Sequence, residues 1–199
     1  MSISIPAFAA FAIAASFTPG PNNIMLAAGS SRYGARAVMP MLWGIQFGFC
    51  AMLLASGLGL AWSLMQMPLL QAVMRWGGVI WLLWLAWKIG SAPPKAGISS
   101  ADDKPALDVI GAALFQLINP KAWLLCLAVA SSWIFPSEPV LPQVLITTGL
   151  FFVIGIFAST FWVAIGTGTA RLLGTPQRVR AFNIVMALLL AASVLPLVF

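Results

Sequence analysis

Thr18-Pro19-Gly20-Pro21-Asn22-Asn23 and Asn119-Pro120-Lys121 place proline, asparagine and a lysine inside otherwise apolar stretches. Proline at the first position of a helix removes an N–H that would be unpaired anyway, and an Asn or Thr just before it accepts from the next free donors. Thr18 or Gly20 ahead of a proline, and Asn119 ahead of Pro120, therefore read as starts of new half-helices. Their free N–H groups and positive dipole ends suit a carboxylate. Carbonyls released at the ends of the preceding half-helices, near Phe17 and Ile118, suit an ammonium group. A zwitterionic amino acid meets both needs, and Asn22, Asn23 and Gln46 offer neutral donors and acceptors for the rest of it.

The elements that must hold these residues follow from composition. With 61% hydrophobic and 7% charged residues and a mean hydropathy of +1.01, too little polar surface remains to face water. The chain reads as an all-α polytopic membrane protein. A span takes about 20 apolar residues, which divides the sequence into six helices of about 4 to 30, 38 to 64, 68 to 90, 107 to 134, 140 to 168 and 178 to 198. The uncharged run from Ala37 to Met74 is too long for one crossing, and Met65-Gln66-Met67-Pro68 supplies its turn. Helices one and four carry the two breaks.

Positive charge sets the topology. Arg32 and Arg36 follow helix one, Lys88, Lys95 and Lys104 surround the third connection, and Arg171, Arg178 and Arg180 surround the fifth, so these connections are expected on the cytoplasmic side. Both termini then face outward, with the first segment a retained helix. The third connection, SAPPKAGISSADDK, reads as a flexible linker inside one transmembrane domain of residues 1–199. Repeat one is 1–90, the linker 91–106 and repeat two 107–199. Three helices per half make the repeat inverted, and broken helices at matching places in such repeats mark ligand sites near the bilayer midplane.

Depth agrees with that reading. At 1.5 Å rise per residue, Asn22 and Asn23 lie roughly 13 to 15 Å from Arg32, Gln46 roughly 15 Å from Arg36, and Asn119 and Lys121 roughly 16 to 20 Å from Asp108. Against a hydrocarbon core about 30 Å thick, all five fall in the middle third.

Other chemistries are poorly served. The chain has no histidine, no Cys-x-x-Cys pair and no phosphate-cradling glycine loop, so neither a metal, a cofactor nor an enzymatic nucleophile is expected. Cys50 and Cys126 read as small apolar packing residues. The net charge of +6 reflects loop bias and anionic lipid, not nucleic acid. Each motif also has a plainer reading: the breaks as proline kinks, Gln46 as an interhelical hydrogen-bonder, Lys121 as a snorkelling anchor, and Arg75 as an anchor or clamp. Gly44-x-x-x-Gly48 and Gly166-x-Gly168 read as packing surfaces. On those readings the chain is a non-transporting membrane component of a larger complex.

Phe17-Thr18-Pro19-Gly20-Pro21-Asn22-Asn23 together with Gln116-Leu117-Ile118-Asn119-Pro120-Lys121-Ala122 resembles the paired signature of the LysE/RhtB amino-acid exporter family, over the whole chain. The double asparagine after Thr-Pro-Gly-Pro looks like the cysteine and O-acetylserine exporter branch. The resemblance implies efflux of amino acids or small derivatives across a bacterial inner membrane, driven by the proton gradient, by a homodimer. Many relatives carry an aspartate where this chain has Asn22, and Asp102, Asp103, Asp108 and Glu138 all lie in or beside loops. With no intramembrane carboxylate to relay a proton, two routes stay open: titration of Lys121, or an uncoupled facilitator.

Overall fold

A computed structural model describes residues 4–60, 66–93, 107–173 and 175–195. Its elements, in chain order, are α1 (Ile5–Phe17), α2 (Pro21–Tyr33), α3 (Ala35–Gly57), α4 (Pro68–Gly90), α5 (Val109–Phe115), a 3-10 turn (Gln116–Ile118), α6 (Pro120–Ser132), α7 (Val140–Leu173) and α8 (Pro176–Ala192). Among the described residues all regular structure is helical.

Proline and glycine punctuate these helices. Pro21, Pro68, Pro120 and Pro176 each stand in the first turn of a helix, where a missing N–H costs nothing. Between α1 and α2 the chain is extended, with Thr18 at φ −60°, ψ 135° and Gly20 at φ −170°, ψ 175°. Gly34, at φ 83°, makes the turn from α2 into α3; only glycine takes that conformation without strain. This is why α3 begins at Ala35, earlier than residue 38. The fifth expected helix, α7, runs on to Leu173, past the expected end at 168, and its Thr167 and Thr169 hydroxyls are satisfied within the helix by the carbonyls of Val163 and Ile165 at 3.0 and 2.6 Å.

Among the described residues three helices are long and apolar enough to cross a membrane: Ala35–Gly57, Pro68–Gly90 and Val140–Thr169. Val109–Ile118 and Pro120–Ser132, bent by 66° at Asn119, make a fourth crossing if counted as one span. Helices α1 and α2, of 13 residues each, are individually short of the ~20 a crossing needs. Residues 94–106 of the linker expected at 91–106, residues 61–65 at the end of helix two and its turn, and the last four residues lie outside the described residues.

Packing is exchanged between the halves. Helices α1 and α2 pack on α7, α5 and α6 pack on α3, and α4 packs on α8. Bare backbone permits the closest approaches: a Cβ on Gly44 would overlap the Val109 carbonyl, and one on Gly166 would overlap the Ala27 carbonyl and the Ser30 hydroxyl. Gly48 lies against Ala113 in the same way. Gly168 is different from the expectation, since nothing approaches its Cβ position within 4 Å. Two residues along a helix is about 200° of rotation, so Gly166 and Gly168 face nearly opposite ways. Two buried apolar clusters result, one around Leu26, Leu82 and Leu190, the other around Phe8, Phe151 and Val129. The breaks lie between them.

Candidate functional site

The two breaks meet through their side chains. Asn119 caps α6 by accepting from the Lys121 backbone N–H at 3.2 Å, as its place before Pro120 dictates. Gln116, one 3-10 turn earlier, points the same way, and its amide meets Asn22 from α2 in a reciprocal pair of 2.9 and 3.1 Å. Asn119 donates to both, at 3.2 Å to Asn22 and 3.1 Å to Gln116. Gln116 also donates to the Ala112 carbonyl at 3.0 Å. Gln116 and Asn119 are 0% and 1% exposed, so these bonds stabilise groups that would be costly to bury alone. Within this network Asn22 Nδ2 uses one of its two N–H groups, on Gln116.

Thr18 does not cap α2. Its hydroxyl donates back to the Ala14 carbonyl, and Gly20, which has no side chain to offer, stands at the N-cap. What Thr18 contributes is its carbonyl, which accepts from Asn23 Nδ2 at 3.0 Å and from Lys121 Nζ at 2.8 Å. Asn23 spans the break, donating also to the Ser16 carbonyl at 2.7 Å. The other carbonyls freed at the breaks are held by tryptophans: Trp162 Nε1 donates to Phe17 at 3.3 Å and Trp123 Nε1 to Leu117 at 2.8 Å. The Ile118 carbonyl lies where a Cβ on Gly78 would be.

Lys121 turns inward. Its ammonium reaches the Thr18 carbonyl, and its stem runs 2.8 Å from the position of a Cβ on Gly20. Gln46, 4% exposed, donates to the Ser159 hydroxyl at 2.9 Å and lies against bare Gly155, so it joins α3 to α7. It is an interhelical hydrogen-bonder that also faces the space beside it.

That space is a cavity of about 550 Å³. Gly20, Pro21, Asn22, Asn23, Gln46, Asn119 and Lys121 line it, while Thr18, Pro19 and Pro120 do not. Phe49, Leu125, Phe151 and Ala158 form much of its apolar wall. Gln116, Gly155, Ser159 and the two tryptophans went unseen from sequence as parts of this site. Gln116 was signalled by its three-residue spacing before Asn119, and Gly155-x-x-x-Ser159 is a small-residue spacing of the kind that lets helices close up. Arg75 is apart from all this, with its guanidinium 5.4 Å from the Trp76 ring centre. Cys50 and Cys126 are buried and unbonded to one another. Among the described residues no cluster of His, Cys, Asp and Glu could hold a metal.

The pattern of the LysE type translocator matches residues 13–198, nearly the whole chain. The chain belongs to the LysE type translocator family. Similar relatives of this translocator are the cysteine/O-acetylserine efflux protein of Shigella flexneri serotype 5b, 32% identical over 189 residues that cover 94% of each chain, and that of Escherichia coli O1:K1, 32% identical over 187 residues covering 94% and 93%. No solved structure matches. As a LysE type translocator with three to four apolar membrane-length spans among the described residues, the chain is a multi-pass membrane protein.

Proposed function

We propose that this translocator is a secondary-active exporter of small neutral amino acids or their derivatives, such as cysteine and O-acetylserine, across the bacterial inner membrane. The observation that carries this reading is the contact of Lys121 Nζ, a residue that lines the central cavity, with the Thr18 carbonyl behind it at 2.8 Å. An ammonium on that carbonyl occupies the place an amino acid's own ammonium would take. On binding, the substrate's ammonium replaces Lys121 at Thr18, and the released Lys121 turns to the substrate carboxylate. Asn22, with its remaining N–H, and Gln46 then contact the body of the ligand. The apolar wall of Phe49, Leu125, Phe151 and Ala158 faces the substrate's side chain.

The names of the relatives support amino-acid efflux. Alternating access by two inverted three-helix repeats is supported by the packing: exchanging the halves sends the α1 and α2 contacts with α7 onto those of α5 and α6 with α3. In this reading α1 and α2 together make the first crossing, α8 the last, and both termini are periplasmic. The functional unit is a homodimer in contact with lipid.

A second reading, an uncoupled facilitator, is favoured by one observation: neither Asp108 nor Glu138 lines the cavity. Uptake of radiolabelled cysteine and O-acetylserine into inside-out vesicles, with and without an imposed pH gradient, tests both for wild type and Asn22→Ala. Saturable, Asn22-dependent accumulation is expected. Absence of transport of either substrate overturns the proposal.

A further inference from the structure

A second cavity, of about 750 Å³, lies in line with the first along the same two helices. On α2 the central cavity takes Gly20 to Asn23, and the second takes Met25, Ala28, Gly29, Arg32 and Tyr33. On α3 the central cavity takes Ile45, Gln46 and Phe49, and the second takes Met41. Asn22 and Met25 are about 4.5 Å apart along the helix axis, so the two spaces are consecutive and separated by about one turn. The partition is apolar and thin: Met25, Met41 and Ile45 are buried in one cluster, and methionine repacks readily.

The outer end of this second cavity is cationic. Arg32 and Lys88 line it, with Tyr33 and Asn183 as further polar groups, and among the described residues no Asp or Glu does. The Arg32 guanidinium lies 5.4 Å from the Tyr33 ring centre, and the Lys88 ammonium 4.9 Å from that of Trp84, which holds both charges near fixed aromatic faces. Arg32 sits in the last turn of α2, on the side where the cationic connections lie.

We infer that this second cavity is an inner vestibule with its own subsite for the substrate carboxylate, formed by Arg32 and Lys88, where a zwitterion waits before passing the Met25, Met41 and Ile45 partition to the central cavity. The inference rests on the export reading above and adds to it a second station on the path. Arg32 presents a planar fork suited to a carboxylate, and Lys88 adds a second positive charge to the same cavity. The same cations could also take the phosphodiester of an anionic lipid, which shares the oxyanion chemistry.

The test is initial-rate uptake of radiolabelled cysteine and O-acetylserine by wild type, Arg32→Gln, Lys88→Gln and Lys88→Arg in proteoliposomes, with substrate presented at the Arg32 face. It is run in phosphatidylcholine alone and with phosphatidylglycerol added. The expected result is a KM raised about three- to thirtyfold in each Gln variant with maximal rate within about twofold of wild type, equally in both lipids, and restored by Lys88→Arg. An unchanged KM, or a defect seen only with phosphatidylglycerol present, overturns the carboxylate subsite. Failure of wild type to transport instead overturns the export reading itself. Should Arg32→Gln not insert, Ala28→Cys places a thiol in this cavity, and substrate should slow its alkylation several-fold; absence of protection overturns the inference.

Discussion

The Lys121 ammonium and the Thr18 carbonyl, 103 residues apart in the chain, meet at 2.8 Å. One break thus supplies the charge and the other its acceptor, so neither half holds a complete site. In the export reading the released Lys121 bonds the substrate carboxylate, and a charged hydrogen bond of that kind is worth about 1.5–3 kcal/mol. Lys121→Ala should therefore lower cysteine flux by at least about tenfold, with the amount of inserted protein unchanged on immunoblots. Flux within twofold of wild type would remove Lys121 from the site.

Gly20→Val should act on the same contact from the other side. A Cβ at Gly20 comes within 2.8 Å of Lys121 Cδ and 3.1 Å of its Nζ, and valine adds two methyls beyond it. The valine takes up the space in which Lys121 and a substrate ammonium would exchange at the Thr18 carbonyl. We expect flux to fall as in Lys121→Ala, and the double variant to be no worse than either single one. Additive losses in this cycle would mean that the two residues act separately.

Gln116→Leu should unlink the carboxamides. It leaves Asn22 and Asn119 short of partners in a buried place, at a cost of about 1–3 kcal/mol. Thermal unfolding in detergent should shift down, and transport should fall with it. Unfolding at the wild-type temperature would show that the network adds nothing to stability.

Two glycines of α7 should behave oppositely. Gly166→Ala forces its Cβ onto the Ala27 carbonyl and the Ser30 hydroxyl, a rigid neighbour, and overpacking of this kind costs about 1–3 kcal/mol. Gly149→Ala meets nothing within 4 Å and should leave stability equal or raised by up to about 1 kcal/mol. Melting of both purified variants decides the matter, and equal effects would contradict the packing described for α2 on α7.

Counterflow should proceed without a pH gradient. Proton relays within membranes ordinarily use Asp, Glu or His; the chain has no histidine, and neither Asp108 nor Glu138 lines the central cavity. Exchange of labelled for unlabelled cysteine in ionophore-treated vesicles should match that in untreated ones. Strict dependence on the gradient would require a proton carrier, with Lys121 the first candidate.

What the sequence disclosed depended on how local the cause was. The break at Asn119-Pro120, the cap that Asn119 provides and the bounds of α4 at residues 68 and 90 follow from proline and asparagine chemistry within a few residues, and the structure has them. The same reasoning went wrong at Thr18, because its hydroxyl had a nearer acceptor in the Ala14 carbonyl of its own helix. It could not reach Gln116, whose partner Asn22 lies 94 positions away, nor the direction of Lys121, which depends on where the first break comes to rest. Gly166 and Gly168 look alike in sequence and differ only in which neighbour the fold brings to each.

The exchanged packing has a consequence for biogenesis. Helices α1 and α2 find their neighbour α7, and α3 finds α5 and α6, only after chain that is synthesised much later has entered the bilayer. Until then Asn22 lacks Gln116 and Asn119, and Gln46 lacks Ser159, and lipid or the insertion machinery must shelter them. Truncated chains are therefore left with unsatisfied polar groups in hydrocarbon, a mark that quality-control proteases can act on.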